Sequence, residues 1–266
     1  MPSESHLIEP PVSEPSIEKL SHLLSNIRVV LVEPKAPGNI GSVARALKTM
    51  GLSRLVLVNP TPFREAPEAR WLAHNAEDIL DAAEIVSTLE EALQDVVYAV
   101  GTANRVRGAW LNPVYPIKQA ATEIVRVAQG QAVAIVFGRE DRGLLNEELE
   151  RCHLLTRIPA ATIHPSLNLA QAVMVCAYEV FQAAHNAPSS LQVKLVDVAD
   201  VERVCERIND SLVRIGFKAR PAPDTFLRSL RRVFRRAFRL EQRDVATLHK
   251  ICDQMDRFVE KHDATG

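Results

Sequence analysis

Four groups of side chains in this chain have types and spacings suited to chemistry. The first is Arg45, which closes the run Asn39-Ile-Gly-Ser-Val-Ala-Arg45. It stands among Val43, Ala44, Ala46 and Leu47, on a segment that reads as a helix opening at a strand end. An arginine among such residues is either one half of a buried ion pair or a cation facing a ligand. The second group follows the apolar run Val133 to Phe137 and reads Gly138-Arg139-Glu140-Asp141-Arg142-Gly143. Its charges are either a solvated loop that cancels, or a site in which Glu140 orients a polar partner and the Gly138 backbone touches a ligand. The third is Pro165-Ser166-Leu167-Asn168, at the start of a long Ala-rich helix. Free backbone N–H groups at such an end favour anions and polar ligands, although Ser166 as a simple N-cap accounts for the same pattern.

The fourth group is a run of arginines: Arg228, Arg231, Arg232, Arg235, Arg236, Arg239 and Arg243. At helical spacing they fall within an arc of about 140°. Leu227, Leu230, Val233, Phe234, Ala237, Phe238 and Leu240 take the opposite side. Like charges this close repel one another, and a polyanion relieves that repulsion while releasing counterions. A solvated amphipathic helix, or one salt-bridged to the acidic N-terminal segment, is the plainer alternative.

These groups need elements to hold them. Apolar runs at Ile27–Val32, Leu55–Val58, Glu84–Ser87, Val96–Val100, Val133–Phe137 and 154–158 read as strands. Between them lie helical stretches at Asn39–Met50, Arg64–His74, Ala76–Ala83, Leu89–Gln94, Ile117–Gln129, Asn146–Arg151 and 166–185. Strands separated by helices predict an α/β domain with a mainly parallel sheet covered on both faces. In such sheets ligands bind at the carboxyl ends of the strands, where the first three groups fall. Asn186 to Ser190 reads as a hinge, and beyond it the pattern is purely helical, over about 196–214, 223–240 and 242–261. The expected organisation is therefore a disordered or loosely attached extension over 1–26, an α/β domain over 27–186, a linker over 187–195 and a helical module over 196–262.

Composition narrows the function. The formal net charge is -1, but it averages an uneven distribution. Residues 196–262 carry fifteen Lys and Arg against eleven Asp and Glu, so local charge matters more than the sum. The four cysteines, Cys152, Cys176, Cys205 and Cys252, form no CxxC pair, which suits buried or incidental thiols in a reducing cytosol and gives no metal site. No apolar run reaches the roughly 18–20 residues of a membrane span. Only ten glycines occur, and no GxGxxG or GxxxxGK[ST] is among them. The closest approach, Gly38-Asn-Ile-Gly41, lacks the third glycine, which disfavours a nicotinamide- or flavin-binding oxidoreductase and a P-loop enzyme.

Taken together, N-I-G-x-x-A-R at Asn39 to Arg45, F-G-R-E-x-x-G-L at Phe137 to Leu144 and S-L-N-L-A-Q-A-V at Ser166 to Val173 resemble the three motifs of the SPOUT-class (trefoil-knot) RNA 2′-O-ribose methyltransferases. With the C-terminal helices, the chain is similar, more narrowly, to the bacterial tRNA (cytidine/uridine-2′-O-)methyltransferases acting at position 32 of the anticodon loop. The resemblance covers about residues 27–260. It implies a parallel-sheet SPOUT domain with a C-terminal trefoil knot, a small helical tRNA-binding domain, S-adenosyl-L-methionine as cofactor, tRNA as partner, a homodimer through the SPOUT domain, and a cytoplasmic setting without membrane. By motif, Arg45, Ser166, Asn39, Glu140 and Asn168 correspond to the catalytic group. Thr102, Ala103, Asn104, Gly138, Ile158, Pro165, Ser166 and Leu167 correspond to cofactor contacts. Arg228, Arg231, Arg232, Arg235, Arg236 and Arg239 are the expected RNA contacts, and no metal is implied. One departure stands out: the loop after the fourth strand is usually close to G-T-[ST]-A-R, and here it is Gly101-Thr102-Ala103-Asn104-Arg105. The remaining alternatives are a 2′-O-methyltransferase for another tRNA or rRNA nucleotide and a non-catalytic RNA-binding protein.

Overall fold

The structure is a computed structural model and describes residues 17–103, 114–161, 167–187, 196–218, 223–237, 240 and 242–263. In chain order its elements are α1 (Ile17–Ser25), β1 (Ile27–Val32), α2 (Pro37–Thr49), β2 (Arg54–Val58), α3 (Pro67–Ala73), α4 (Glu77–Asp81), β3 (Glu84–Val86), α5 (Leu89–Ala92), β4 (Tyr98–Thr102), β5 (Val114–Pro116), α6 (Ile117–Ala128), β6 (Val133–Phe137), α7 (Asn146–Leu149), β7 (Leu154–Arg157), α8 (Leu169–His185), α9 (Val198–Arg214), α10 (Pro223–Ala237) and α11 (Gln242–Asp263). The strands form one sheet in the order β3-β2-β1-β6-β4-β7-β5, and every described pairing is parallel.

The central strands read as nearly unbroken apolar runs because both faces of the sheet are covered; the exception in β1 is Arg28, buried and paired with Asp95 at 2.6 Å. Side chains alternate between the faces. Val29 and Leu31 of β1 point into a core shared with α1, α2, α6 and α8, while Val30 and Val32 point into a second core with α5 and α7. This layering puts all strand carboxyl ends on one edge, where β1, β4, β6 and β7 open into the motif-bearing loops.

Helix α2 begins at Pro37, with Ala36 as N-cap, and not at Asn39 as its side chain suggests. Proline at the first helical position has its φ preset and lacks the N–H that would be orphaned there, so it starts the helix early. Asn39 therefore lies inside the first turn, its side chain available for contacts elsewhere. The helix ends where Gly51 takes φ +72°. Within α2, Gly41 lets α3 approach backbone to backbone: a Cβ there would lie 2.0 Å from the Ala69 carbonyl oxygen. Overpacking of this kind costs roughly 1–3 kcal/mol, so Gly41→Ala should lower the thermal midpoint by several degrees, which calorimetry reads directly.

Other expectations need correction. In the expected extension, Ile17–Ser25 are helical, and Leu23 and Leu24 are buried in the core beside α8 and α6; residues 1–16 lie outside the described residues. Leu20, Leu23 and Leu24 recur at helical spacing, so the Pro-rich composition of the segment ends before they begin. The edge strand β5 went unread because three residues ending in proline carry no periodicity. Helix α8 starts at Leu169 behind Asn168, three residues later than the pattern suggests. Segment 162–166, between β7 and α8, lies outside the described residues. So do residues 188–195 of the expected linker.

Beyond it, α9, α10 and α11 enclose a small core of Val196, Val201, Cys205 and Leu240, with Leu227, Leu230, Phe234, Val245 and Leu248 around it. The module is anchored to the sheet domain at α9. Val198 is buried with the residues of the second core, and its N–H donates to the Val96 carbonyl at 2.6 Å. All four cysteines are buried free thiols, and burial pushes the Cys176 thiol up to about 12. Among the described residues no helix is long and apolar enough to cross a membrane.

Candidate active site

Strands β6, β4 and β7 lie side by side, and their carboxyl ends bring Gly138, Thr102–Ala103 and Arg157–Ile158 to one edge. Thr102 uses its hydroxyl on the sheet, donating to the Val136 carbonyl at 3.0 Å, and the Ala103 N–H donates to the Thr156 carbonyl at 2.8 Å. The Thr102 side chain is thus committed to the scaffold. Ile158 is half-buried against the core, and Leu167, before α8, is 40% exposed. Asn104, Pro165 and Ser166 lie outside the described residues.

Gly138 is required by the loop itself. A Cβ there would sit 2.1 Å from the Gly143 carbonyl carbon and 2.2 Å from the Leu144 nitrogen. The chain doubles back at once: the Arg139 N–H donates to Gly143 O at 3.2 Å, and the Gly143 N–H returns to Arg139 O at 2.8 Å, with Gly143 at φ +70°.

The charges of this loop are not a solvated, self-cancelling set. Arg139 is only 5% exposed. Its guanidinium donates to both oxygens of Glu33, through Nε at 2.7 Å and Nη2 at 2.6 Å, and through Nη1 to Glu148 at 3.0 Å. The two carboxylates hold the guanidinium pKa well above its ordinary value, with the Glu33 hydrogen bonds first among the causes. The same contact holds Glu33 below the usual carboxylate range. At the exposed rim, Lys35 pairs with Asp141 at 2.7 Å and Arg142 approaches Glu33 at 3.7 Å.

Glu140 turns to α2. Its carboxylate accepts from the Lys35 N–H at 3.1 Å, the Ala36 N–H at 3.3 Å and Asn39 Nδ2 at 3.0 Å. It thereby satisfies donors at the helix start from across the fold and favours the positive end of the helix dipole. Asn39 Oδ1 in turn accepts from Asn168 Nδ2 at 2.9 Å. Asn168 caps α8, its side-chain oxygen accepting from the Ala170 N–H at 2.9 Å, while the Asn168 N–H donates to Gln171 Oε1 at 3.3 Å. The N-cap is therefore Asn168, which relieves Ser166 of the role that helix spacing alone would give it. Three predicted residues, Glu140, Asn39 and Asn168, are joined in one chain of hydrogen bonds.

Burial tends to raise the Glu140 pKa, but the Asn39, Lys35 and Ala36 donors outweigh it and hold the carboxyl below its ordinary 4.5. A depressed folded-state pKa means a contribution fully present above the unfolded value and lost as pH falls through the folded one. Thermal melts from about pH 7 to about pH 3 should therefore show the midpoint dropping below the ordinary carboxylate pKa, and dropping less steeply in Glu140→Gln. Equal slopes for both proteins would remove Glu140 as a contributor.

Arg45 is exposed, and among the described residues it has no ion pair. Of its two sequence readings, the buried pair does not hold there. Asn39 and Arg45 are six residues apart on α2, which puts Arg45 about 9 Å further along the helix and about 120° around it from the hydrogen-bonded Asn39.

The arginine helix is less free than its spacing implies. Arg231 is half-buried and paired with Glu202 and with Glu206 of α9, the latter at 3.8 Å, and exposed Arg228 approaches Glu150 at 3.4 Å. Among the described residues, the acid that offsets the stripe comes from α9 and from beyond α7. Val233, expected on the packed side, is 46% exposed. Arg239 and the side chains of Arg235 and Arg236 lie outside the described residues. Sequence reading missed Glu33, Glu148 and Lys35 altogether. Only Glu148 carried a local signal, three residues into a short helix start.

A parallel sheet whose carboxyl edge gathers the three motif loops defines a methylase of the SpoU class. Residues 26–178 match the SpoU rRNA Methylase family, and the chain belongs to that family. Residues 199–264 match the family described as tRNA methyltransferase TrmJ, C-terminal domain. The tRNA (cytidine/uridine-2′-O-)-methyltransferase TrmJ of Pectobacterium atrosepticum is 40% identical over 244 residues, 88% of this chain and 98% of that protein. That of Escherichia coli is 41% identical over 244 residues, 88% and 97%. Among solved structures, TrmJ from Z. mobilis superposes with a TM-score of 0.74 at 28% identity, covering 86% of this chain and 98% of that one. A probable methyltransferase from Bordetella pertussis gives 0.58 at 41% identity, covering 62% and 99%.

Proposed function

We propose that this protein transfers a methyl group from S-adenosyl-L-methionine to the ribose 2′-hydroxyl of a cytidine or uridine in tRNA, at position 32 of the anticodon loop, and that it acts as a cytoplasmic homodimer through its sheet domain. The observation that carries the reading is the bonded set Glu140–Asn39–Asn168, with Arg45 exposed on the same helix as Asn39. The named function of the 40%-identical relatives and the match of residues 199–264 support tRNA as the substrate.

The residues at the strand ends fit an adenosine-bearing donor. Ala103, Ile158 and Leu167 offer apolar surface at the carboxyl edge, where an adenine needs cover. Gly138, Pro165, Ser166 and the backbone of Thr102 and Asn104 complete the proposed contacts. When bound, the donor supplies an activated methyl on a sulfonium.

The chain's own residues do the rest. A ribose hydroxyl is a weak nucleophile, so it needs in-line placement and relief of the negative charge that grows on its oxygen. Arg45, permanently protonated, holds a neighbouring phosphate and stabilises that charge, while the hydroxyl proton passes to solvent water as the O–CH3 bond forms and the S–CH3 bond breaks. Glu140 spends its oxygens on three N–H donors, which suits an anchor rather than a base. Asn39 and Asn168 set the entry of α2 and α8 at the site. The RNA contacts proposed are Arg228, Arg232, Arg235 and Arg236 of α10 and Arg239 after it; Arg231, paired with Glu202 and Glu206, serves the module's own packing.

The test is methyl transfer from labelled cofactor to total tRNA, followed by mapping of the modified nucleotide. The expected product is 2′-O-methylated cytidine or uridine at position 32. Methylation only of rRNA or of another tRNA position would replace the substrate, and tRNA binding without transfer would leave a non-catalytic RNA-binding protein.

A further inference from the structure

The motif residue with the most elaborate set of contacts is not among the proposed catalytic group. Arg139 is buried, and its guanidinium lies between two carboxylates from different parts of the fold, Glu33 at the exit of β1 and Glu148 in α7. Glu33 holds a left-handed backbone, φ +45°, which a residue with a Cβ keeps only where its surroundings over-determine it. Here three bonds do so: the two-pronged contact with Arg139 and its own N–H to the Val58 carbonyl at 2.8 Å. Glu148 is fixed in turn by the Leu145 N–H at 2.7 Å. Burying such an ion set adds little net stability, because desolvation offsets the attraction. What it does give is one geometry.

That geometry bears on the site through adjacency. Arg139 ties the loop to residue 33, and the next residue, Glu140, ties it to residues 35, 36 and 39. The two side chains thus stitch the same loop to the same β1–α2 turn at consecutive positions. A shift in the Arg139 clamp displaces the Glu140 carboxylate from the α2 donors, and with it Asn39 and its bond to Asn168.

We infer that Arg139 is a positioning residue for the methyl-transfer reaction, acting through the Glu33–Arg139–Glu148 clamp to hold Glu140 against the start of α2. The inference rests on the methyltransferase reading above, but part of its test does not. Amide hydrogen exchange on the full-length protein reports the Lys35 and Ala36 N–H groups, both donors to Glu140. In Arg139→Gln these two amides should lose protection selectively, while amides of β1 and β6 keep theirs. Single-turnover methylation should slow by about tenfold or more, with KM for tRNA within about twofold, because the arginine helix is untouched. Arg139→Lys, which keeps the charge but not the fork, should recover only part of the rate. If Arg139→Gln does not fold, Glu148→Gln removes one prong and should show the same pattern more weakly. Unchanged Lys35 and Ala36 protection, with a lower thermal midpoint and a normal rate per folded molecule, would overturn the inference and leave a stability role. Should the wild type fail to methylate tRNA, the reading of function falls, and the exchange measurement still decides whether Arg139 places Glu140.

Discussion

Arg45→Ala should reduce single-turnover methylation by about 10²-fold or more while leaving cofactor affinity within about twofold of the parent. The size follows from the role: a preorganised cation beside the oxygen that gains charge acts in the transition state far more than in the ground state. The clean separation follows from the structure. Arg45 is exposed, and among the described residues no carboxylate depends on it, so its removal strands no buried charge. Alanine is also a good helix former, so α2 should keep its stability. The proposed cofactor contacts lie at the ends of β4, β6 and β7, not on α2. Calorimetric titration with S-adenosyl-L-methionine and a single-turnover assay on one preparation make the comparison. Arg45→Lys should fall between, since a lysine keeps the charge without the planar fork. A normal rate in Arg45→Ala would take this residue out of the mechanism.

The second large effect is expected on tRNA binding. Reversing Arg235 and Arg236 together to glutamate should raise the tRNA dissociation constant on the order of 10- to 100-fold near 0.1 M salt, and should flatten the dependence of log K on log salt by about 1.4 to 1.8. The slope change comes from two lost phosphate contacts, each releasing about 0.7 to 0.9 of a counterion. These positions are chosen because they continue the arginine spacing past Arg231, which pairs with Glu202 and Glu206. Arg231→Glu is the instructive contrast. It places a carboxylate against Glu202 and Glu206, so it should lower the stability of the helical module more than it changes the salt slope. Filter binding across a salt series gives both quantities. An unchanged affinity and slope in the double reversal would make α10 a packing face and move RNA recognition elsewhere.

The site was legible in the sequence to different depths. Asn39, Glu140 and Asn168 were identified by motif, and the structure joins them, but their individual tasks were not readable. Asn39 looked like an N-cap and is inside the first turn, because Pro37 starts the helix. Ser166 looked like the cap of α8, and Asn168 takes that place. The two corrections differ in cause: at α2 Pro37 starts the helix and a distant carboxylate, Glu140, takes the donors there, whereas α8 takes its cap from the local side chain of Asn168. Likewise Arg139-Glu140-Asp141-Arg142 read as charges that cancel among themselves, whereas each residue pairs with a partner elsewhere in the chain. No window of sequence records a pair 106 residues apart.

The alternation of strands and helices behind the parallel sheet, the placing of motif loops at its carboxyl edge and the purely helical pattern after it were legible in the sequence, because apolar periodicity and turn residues are local properties; α1 and β5 were not. Tertiary structure alone decided which carboxylate meets which donor. It placed Glu33 and Glu148 around Arg139, brought Glu140 to the start of α2, joined Asn39 to Asn168 across 129 residues, and turned Arg231 inward to α9. Burial selects such polar pairs: an unpaired charge or N–H is costly once water is excluded, and the fold settles where these groups meet.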